Sequence, residues 1–330
     1  MVDEHKERVY VIPGQFNPNK RIIATAHPVQ GLTCFHEYQE RTLKTLTIDM
    51  LYTAIGALQT QTNLALGTPK TEIIFSKNEP SEKVKRRVED YVREYFDGNF
   101  YLNTHNNFQP DVGLASSASG FSCIAGGLAR LLNLTDDLSE ISKMARTGSF
   151  SASASVTGGI SIVRKKELGH ATYGEQVFSP AQLDDLTLVI ALASYNKDTF
   201  DFYREAETSP VLETARKQVE STADQMIRSF EERDVDKLAY LSERNVTMNY
   251  AVLHTGDNNL FLWKPESVIA ISGVRRLRQK GEPVFYSMNT GANVFVYCFN
   301  DSSVQKMKTF LGSQNIEYLV SKVGGGLRCQ

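Results

Sequence analysis

Residues Gly113-Leu114-Ala115-Ser116-Ser117-Ala118-Ser119-Gly120 set small residues and three hydroxyls directly ahead of an apolar-periodic run, Ile124 to Leu132. Open backbone N–H groups, the positive end of a following helix and hydroxyl donors together make an anion site. The stretch lacks the lysine of a Gly-x-x-x-x-Gly-Lys nucleotide loop, and Ser119-Gly120 does not complete a Gly-x-Ser-x-Gly hydrolase elbow. Gly113, Ala115, Ser116, Ser117 and Ser119 are therefore the expected anion-binding positions. A serine-rich loop that serves only tight helix packing is the competing reading. Two further segments have site-building composition: Thr147 to Gly159, rich in Ser and Gly, and Ser287 to Val294, a tight turn between two strand-like runs.

Other chemistries find little support. The six histidines, His5, His27, His36, His105, His170 and His254, show no close pair with ligand spacing, so no metal centre is expected. Cys34, Cys123, Cys298 and Cys329 are scattered and read as buried thiols. His36 is assigned to packing or surface rather than to acid–base work. The basic stretches Lys83 to Arg87 and Arg275 to Arg278 read as solvated helix faces, although an arginine of the second could turn towards a phosphate.

These segments need a scaffold, and the bulk properties allow one. The chain has 330 residues, 41% hydrophobic and 22% charged, the balance of a globular protein. Its length predicts two lobes: residues 1–180 carrying the phosphate-binding loop, and residues 181–330 closing a cleft. A formal net charge of -2 provides no global field for nucleic acid or an anionic membrane. An anionic substrate must be held locally. The charged start Met-Val-Asp-Glu-His-Lys-Glu-Arg is unlike a secretory leader, no run approaches the ~18 apolar residues of a membrane span, and the cytoplasm is expected.

Local patterning predicts early strands within residues 8–34, strands at the start of Thr45 to Leu66, and an amphipathic helix over Ser81 to Phe96, where Val84, Val88, Tyr91, Val92 and Tyr95 recur at helical spacing between charged residues. A strand follows at Asn99 to Asn107. Thr135, Asp136 or Asp137 caps a helix that buries Leu138, Ile141 and Met144. Ser149 to Gly159 reads as a turn, Ile160 to Val163 and Leu186 to Ala193 as strands. Helices are expected over Pro210 to Arg233, Val235 to Met248, 264–280 and Ser303 to Leu311, with a strand–turn–strand over Pro283 to Phe299. Residues 316–323 read as an edge-like strand, and Gly324-Gly325-Gly326 as a flexible linker or turn.

Pro110 to Leu134, PDVGLASSASGFSCIAGGLARLLNL, resembles the phosphate-binding loop and following helix of the diphosphomevalonate decarboxylase branch of the galactokinase, homoserine kinase, mevalonate kinase and phosphomevalonate kinase (GHMP) superfamily. TGSFSASASVTGG resembles that family's substrate loop, and SMNTGANV its late catalytic turn, in the expected order. The resemblance implies an α+β, two-lobe GHMP-kinase-like fold with a deep interlobe cleft, often in a homodimer, and a small phosphorylated mevalonate as substrate. It also implies substrate contacts at Ser149, Ser151, Ser153, Ala154 and Tyr38. The family reaction phosphorylates a tertiary 3-hydroxyl with ATP, then expels that phosphate together with carbon dioxide to leave an alkene.

This sequence departs from the family at four places. The family's early Tyr-Trp-Gly-Lys stretch is replaced by Phe35-His36-Glu37-Tyr38, and its lysine is absent. Ala154 stands where the substrate loop carries an arginine for the carboxylate, so another group, such as Arg146 or Lys197, must serve or recognition must differ. Lys197-Asp198-Thr199 replaces a Ser-Ser-Arg diphosphate segment, which makes Lys197 a candidate clamp for a single 5-phosphate and equally an exposed loop lysine. Asn289 occupies the place of the catalytic aspartate. Three readings fit it: a native residue in a divergent enzyme, the mark of a kinase that does not decarboxylate, or an aspartate replaced to trap substrate. The departures point to an archaeal type of decarboxylase that acts on mevalonate 3,5-bisphosphate without a cofactor and yields isopentenyl phosphate. ATP and Mg would enter only for the alternatives, an ATP-dependent phosphomevalonate or diphosphomevalonate decarboxylase or a mevalonate 3-kinase. A catalytically inactive sensor of an isoprenoid intermediate is the reading from a different class.

Overall fold

The computed structural model describes residues 20–40, 44–76, 81–109, 113–165, 172–193 and 201–330. Three sheets and the helices packed on them carry the candidate segments. The first sheet has the order β15-β1-β6-β8-β7, from β1 (Arg21–Ala26), β6 (Thr60–Leu66), β7 (Glu72–Phe75), β8 (Phe100–Asn106) and β15 (Arg328–Cys329). In β1, Ile22, Ala24 and Ala26 turn inward while Ile23 is exposed, the period of two expected of a sheet with one covered face. That face is covered by α1 (Glu82–Arg93), α2 (Ser116–Leu131) and α3 (Leu138–Gly148). Val88, Tyr91 and Val92 of α1 and Phe121, Ile124 and Leu128 of α2 pack with Leu64, Leu66, Phe100 and Leu102 of the sheet.

The predicted helix signals largely match. Asp137 caps α3, its side chain accepting from Ser139 N–H, and Ile141 and Met144 are buried. Leu138 differs from expectation: as the first residue of α3 it points outward and is 43% exposed. Helix α2 begins at Ser116, eight residues before its apolar run, so the serines form its first turn rather than a loop ahead of it. The expected turn at 149–159 contains a short helix, α4 (Ala152–Thr157).

The second sheet, β10-β9-β5-β2, is built from β2 (Val29–Gly31), β5 (Met50–Ala54), β9 (Ile160–Val163) and β10 (Gly174–Phe178). A two-stranded ribbon of β3 (Tyr38–Glu40) and β4 (Thr45–Leu46) lies beside it. The third sheet, β12-β13-β11-β14, uses β11 (Thr187–Ala191), β12 (Val284–Ser287), β13 (Val294–Cys298) and β14 (Tyr318–Lys322), the last at an edge. Around it lie α5 (Phe202–Glu207), α6 (Leu212–Val219), α7 (Thr222–Glu232), α8 (Val235–His254), α9 (Pro265–Gln279) and α10 (Asp301–Ser313). A shared core joins the second and third sheets: Leu51, Ile160 and Ile162 pack with Leu188, Phe285 and Phe295.

The chain's last residues return to the first sheet. Gly324-Gly325-Gly326 is a bonded crossing rather than a flexible linker: Gly324 N–H donates to Ala54 O (2.9 Å) and Gly324 O accepts from Gly159 N–H (2.9 Å). A Cβ on Gly158 would come within 2.2 Å of the Gly325 carbonyl carbon, so glycines on both sides permit the contact. Among the described residues no helix is long and apolar enough to cross a membrane, and no group of three His, Cys, Asp or Glu could hold a metal ion.

Candidate active site

The glycine- and serine-rich stretch turns through Gly113 at φ 79° and Ala115 at φ 51° before entering α2. No acidic residue occupies the first turn of α2, so its open N–H groups keep their positive potential. Ser117 is exposed and Ser116 half-buried. Across from them, Ser149 follows the last residue of α3, and its Oγ lies 3.4 Å from Ser117 Oγ. This brings together two hydroxyls from segments far apart in sequence, beside a helix N-terminus.

Not every predicted position joins them. Ser119 is fully buried, with its Oγ 2.6 Å from Thr60 Oγ1 and 3.3 Å from Ser116 O, because one turn into α2 the side chain faces the sheet. It is a packing residue, contrary to the expectation of a phosphate donor. Ser153 is likewise buried and donates to Phe150 O at 2.6 Å. Ala154 lies in an apolar cluster with Phe35, Tyr52 and Phe150, and Ser151 precedes α4. Arg146 is buried with its guanidinium donating to Thr172 O, so it does not stand in for an arginine at Ala154. Lys197 lies outside the described residues.

The late turn between β12 and β13 is pinned on several sides. Asn289 Oδ1 accepts from Gly31 N–H at 3.0 Å, and Ser287 Oγ donates to Gly31 O at 2.6 Å. Tyr250 OH, from α8, bonds Asn289 O and Gly291 O at 2.7 and 2.5 Å, while Ser267 Oγ donates to Ala292 O. Asn293 Oδ1 accepts from Ala193 N–H at 3.0 Å, and its Nδ2 is 3.4 Å from where a Cβ on Gly113 would stand. The late turn therefore abuts both β2 and the phosphate-binding stretch.

Residues 34–38 lie between these parts and α8. Cys34 N–H donates to Asn245 Oδ1 and His36 Nδ1 to Asn249 Oδ1, each at 2.7 Å. His36 is buried against Phe202 and Tyr203, which agrees with its assignment to packing. Burial pushes the Cys34 thiol up to about 12, so it stays protonated and inert. Tyr38, at the position of the missing lysine, stacks on Tyr203 with ring centroids 3.6 Å apart and planes 9° from parallel.

Sequence reasoning missed a cationic cavity of about 680 Å³ beside the Ser149 segment, lined by Lys44, Lys83, Arg86 and Arg87 together with Glu82, Asp90 and Glu94. Arg87 Nη2 and Lys44 Nζ both donate to Gly148 O, at 2.5 and 2.9 Å, and Lys44 also reaches Thr147 O. Burial, then the neighbouring Arg87, push the Lys44 amine down to about 8. Lys83, Arg86 and Arg87 are exposed, as a solvated face requires, and Arg87 in addition reaches Gly148 O. The spacing of this stretch put Lys83, Arg86, Arg87, Asp90 and Glu94 on one side of a helix, a signal that was available. In the second basic stretch, Arg278 grips Glu243 through two bonds of 2.5 and 3.0 Å.

A sheet-rich part whose small-residue turn opens a helix, closed by the third sheet under long helices, is the GHMP-kinase-like fold. The mevalonate diphosphate decarboxylase of Enterococcus faecalis superposes with a TM-score of 0.86 at 22% identity, over 94% of this chain and 98% of that one. Residues 26–174 match the diphosphomevalonate decarboxylase-like N-terminal domain family. The phosphomevalonate decarboxylase of Haloferax volcanii is 28% identical over 92% of this chain and 95% of its own length. The human diphosphomevalonate decarboxylase is 30% identical over 60% of this chain, which spans 51% of the human protein.

Proposed function

We propose that this chain is a decarboxylase of the mevalonate pathway that converts mevalonate 3,5-bisphosphate into isopentenyl phosphate, phosphate and carbon dioxide without ATP. The decarboxylase class is supported by the Haloferax volcanii relative, which matches along nearly its whole length, and by the N-terminal domain family. The observation that carries the ATP-free form is the Tyr38–Tyr203 stack. An aromatic pair fills the place where the family sets a lysine, and a phenol ring offers no cation to a transferring phosphoryl group.

The elimination needs no base. The C3–O bond breaks with its electron pair moving onto the phosphate, the C1–C2 pair becomes the new double bond, and the carboxyl carbon leaves as carbon dioxide. Negative charge accumulates on the departing phosphate, where preorganised donors lower the barrier most. Ser116, Ser117, Ser149 and the open amides of α2 are those donors. Ala154 sits among apolar side chains and brings no guanidinium to the carboxylate.

One observation favours a second reading, an ATP-dependent phosphomevalonate decarboxylase. The cavity lined by Lys44, Lys83, Arg86 and Arg87 has the size and cations to hold a polyphosphate, and the Enterococcus faecalis protein has been solved with AMPPCP and magnesium. The two separate by assay of phosphate and carbon dioxide release from mevalonate 3,5-bisphosphate with no nucleotide present. Release supports the proposal; ADP formation from mevalonate 5-phosphate, with no release from the bisphosphate, overturns it.

A further inference from the structure

The two amide atoms of Asn289 face different ways. Gly31 N–H lies 3.0 Å from Oδ1, and because a backbone N–H only donates, the oxygen is the atom that must face it. The pairing is built in: Ser287 Oγ holds Gly31 O, Tyr250 OH holds Asn289 O, and a Cβ on Gly31 would come 2.7 Å from Oδ1. With the oxygen committed inside the fold, Nδ2 is the group left to a ligand. Asn289 is only partly buried, and Asn293 Nδ2, 3.4 Å from where a Cβ on Gly113 would stand, places this turn next to the phosphate-binding stretch.

We infer that Asn289 is a catalytic, specificity-determining donor whose Nδ2–H bonds the C3-bound oxygen of a substrate that is already phosphorylated there. The inference rests on the ATP-free elimination proposed above. A free 3-hydroxyl carries a proton and calls for an acceptor, which a carboxylate at this position would supply. A phosphate-ester oxygen has only lone pairs, and it gains the electron pair of the breaking C3–O bond. A neutral N–H stabilises that oxygen as its charge grows, whereas a carboxylate would repel it. No proton is transferred, so an amide suffices.

The test uses Asn289→Asp and Asn289→Ala with mevalonate 3,5-bisphosphate, following phosphate and carbon dioxide release without nucleotide across pH. Asn289→Asp keeps an acceptor for Gly31 N–H and removes only the outward donor. At neutral pH its kcat is expected to fall about 10²–10³-fold, the scale of losing one oxyanion donor, with recovery on acidification as the protonated carboxyl becomes an O–H donor. Asn289→Ala should fall without that recovery. If Asn289→Asp turns over like the unaltered chain while Asn289→Ala falls, only the bond to Gly31 matters and the donor role is overturned by itself. If the unaltered chain releases nothing, the elimination reading fails and the donor role fails with it.

Discussion

The hydroxyls of Ser119 and Thr60 lie 2.6 Å apart, joining α2 to the middle of the first sheet where no ligand reaches. Thr60 Oγ1 passes the chain on to Asn106 Oδ1, also at 2.6 Å. Ser119→Ala should therefore cost stability, about 1 kcal/mol for a buried hydrogen bond, and leave kcat near its original value. Thermal unfolding and steady-state kinetics on the same variant check both halves.

Ser117 and Ser116 should behave the other way. Ser117→Ala and Ser116→Ala are expected to lower kcat by roughly 10²–10³-fold per donor lost with little change in melting temperature, since neither side chain is buried. Unchanged rates in both would remove the first turn of α2 from the mechanism.

Lys44 provides a pH signature. Its amine sits near 8 in the fold against an unfolded value of 10.5, so between those limits the unfolded chain binds the extra proton and stability rises with pH. Below about 8 both states are protonated, and the cost of the buried charge is fully present. Inorganic phosphate binding in the adjoining cavity should weaken as pH rises through that value, and Lys44→Met should flatten the dependence. Calorimetric titration with phosphate at stepped pH reads it directly.

Arg278 anchors α9 to α8 through Glu243, whose side chain is 11% exposed. Arg278→Met leaves that carboxylate without its fork and should destabilise the fold by about 2 kcal/mol, in the range for hydrogen bonds to charged groups. Urea unfolding measures it, and turnover of the folded fraction should not change.

What the sequence disclosed was local. The capping of α3 by Asp137 and the inward face of α1 at Val88, Tyr91 and Val92 follow from relations two to four residues apart, and the serine-rich first turn of α2 was visible as composition. The fate of each serine was not: whether Ser119 faces ligand or sheet depends on where the helix begins, and an apolar pattern starting at Ile124 did not reveal a start at Ser116. Long-range pairings were hidden for the same reason. Lys44 meets Gly148 across 104 residues and Asn289 meets Gly31 across 258, and no spacing rule links residues so far apart. The family resemblance located Asn289 as unusual, while only the bond to Gly31 shows which of its atoms is free.

The most direct test of the account supplies the unaltered chain with mevalonate 3,5-bisphosphate in nucleotide-free buffer and follows phosphate and carbon dioxide together. Equal release of the two, unaffected by added ATP and magnesium, is the predicted result. Absence of both products, with ADP formed from mevalonate or its 5-phosphate once ATP is added, would contradict it.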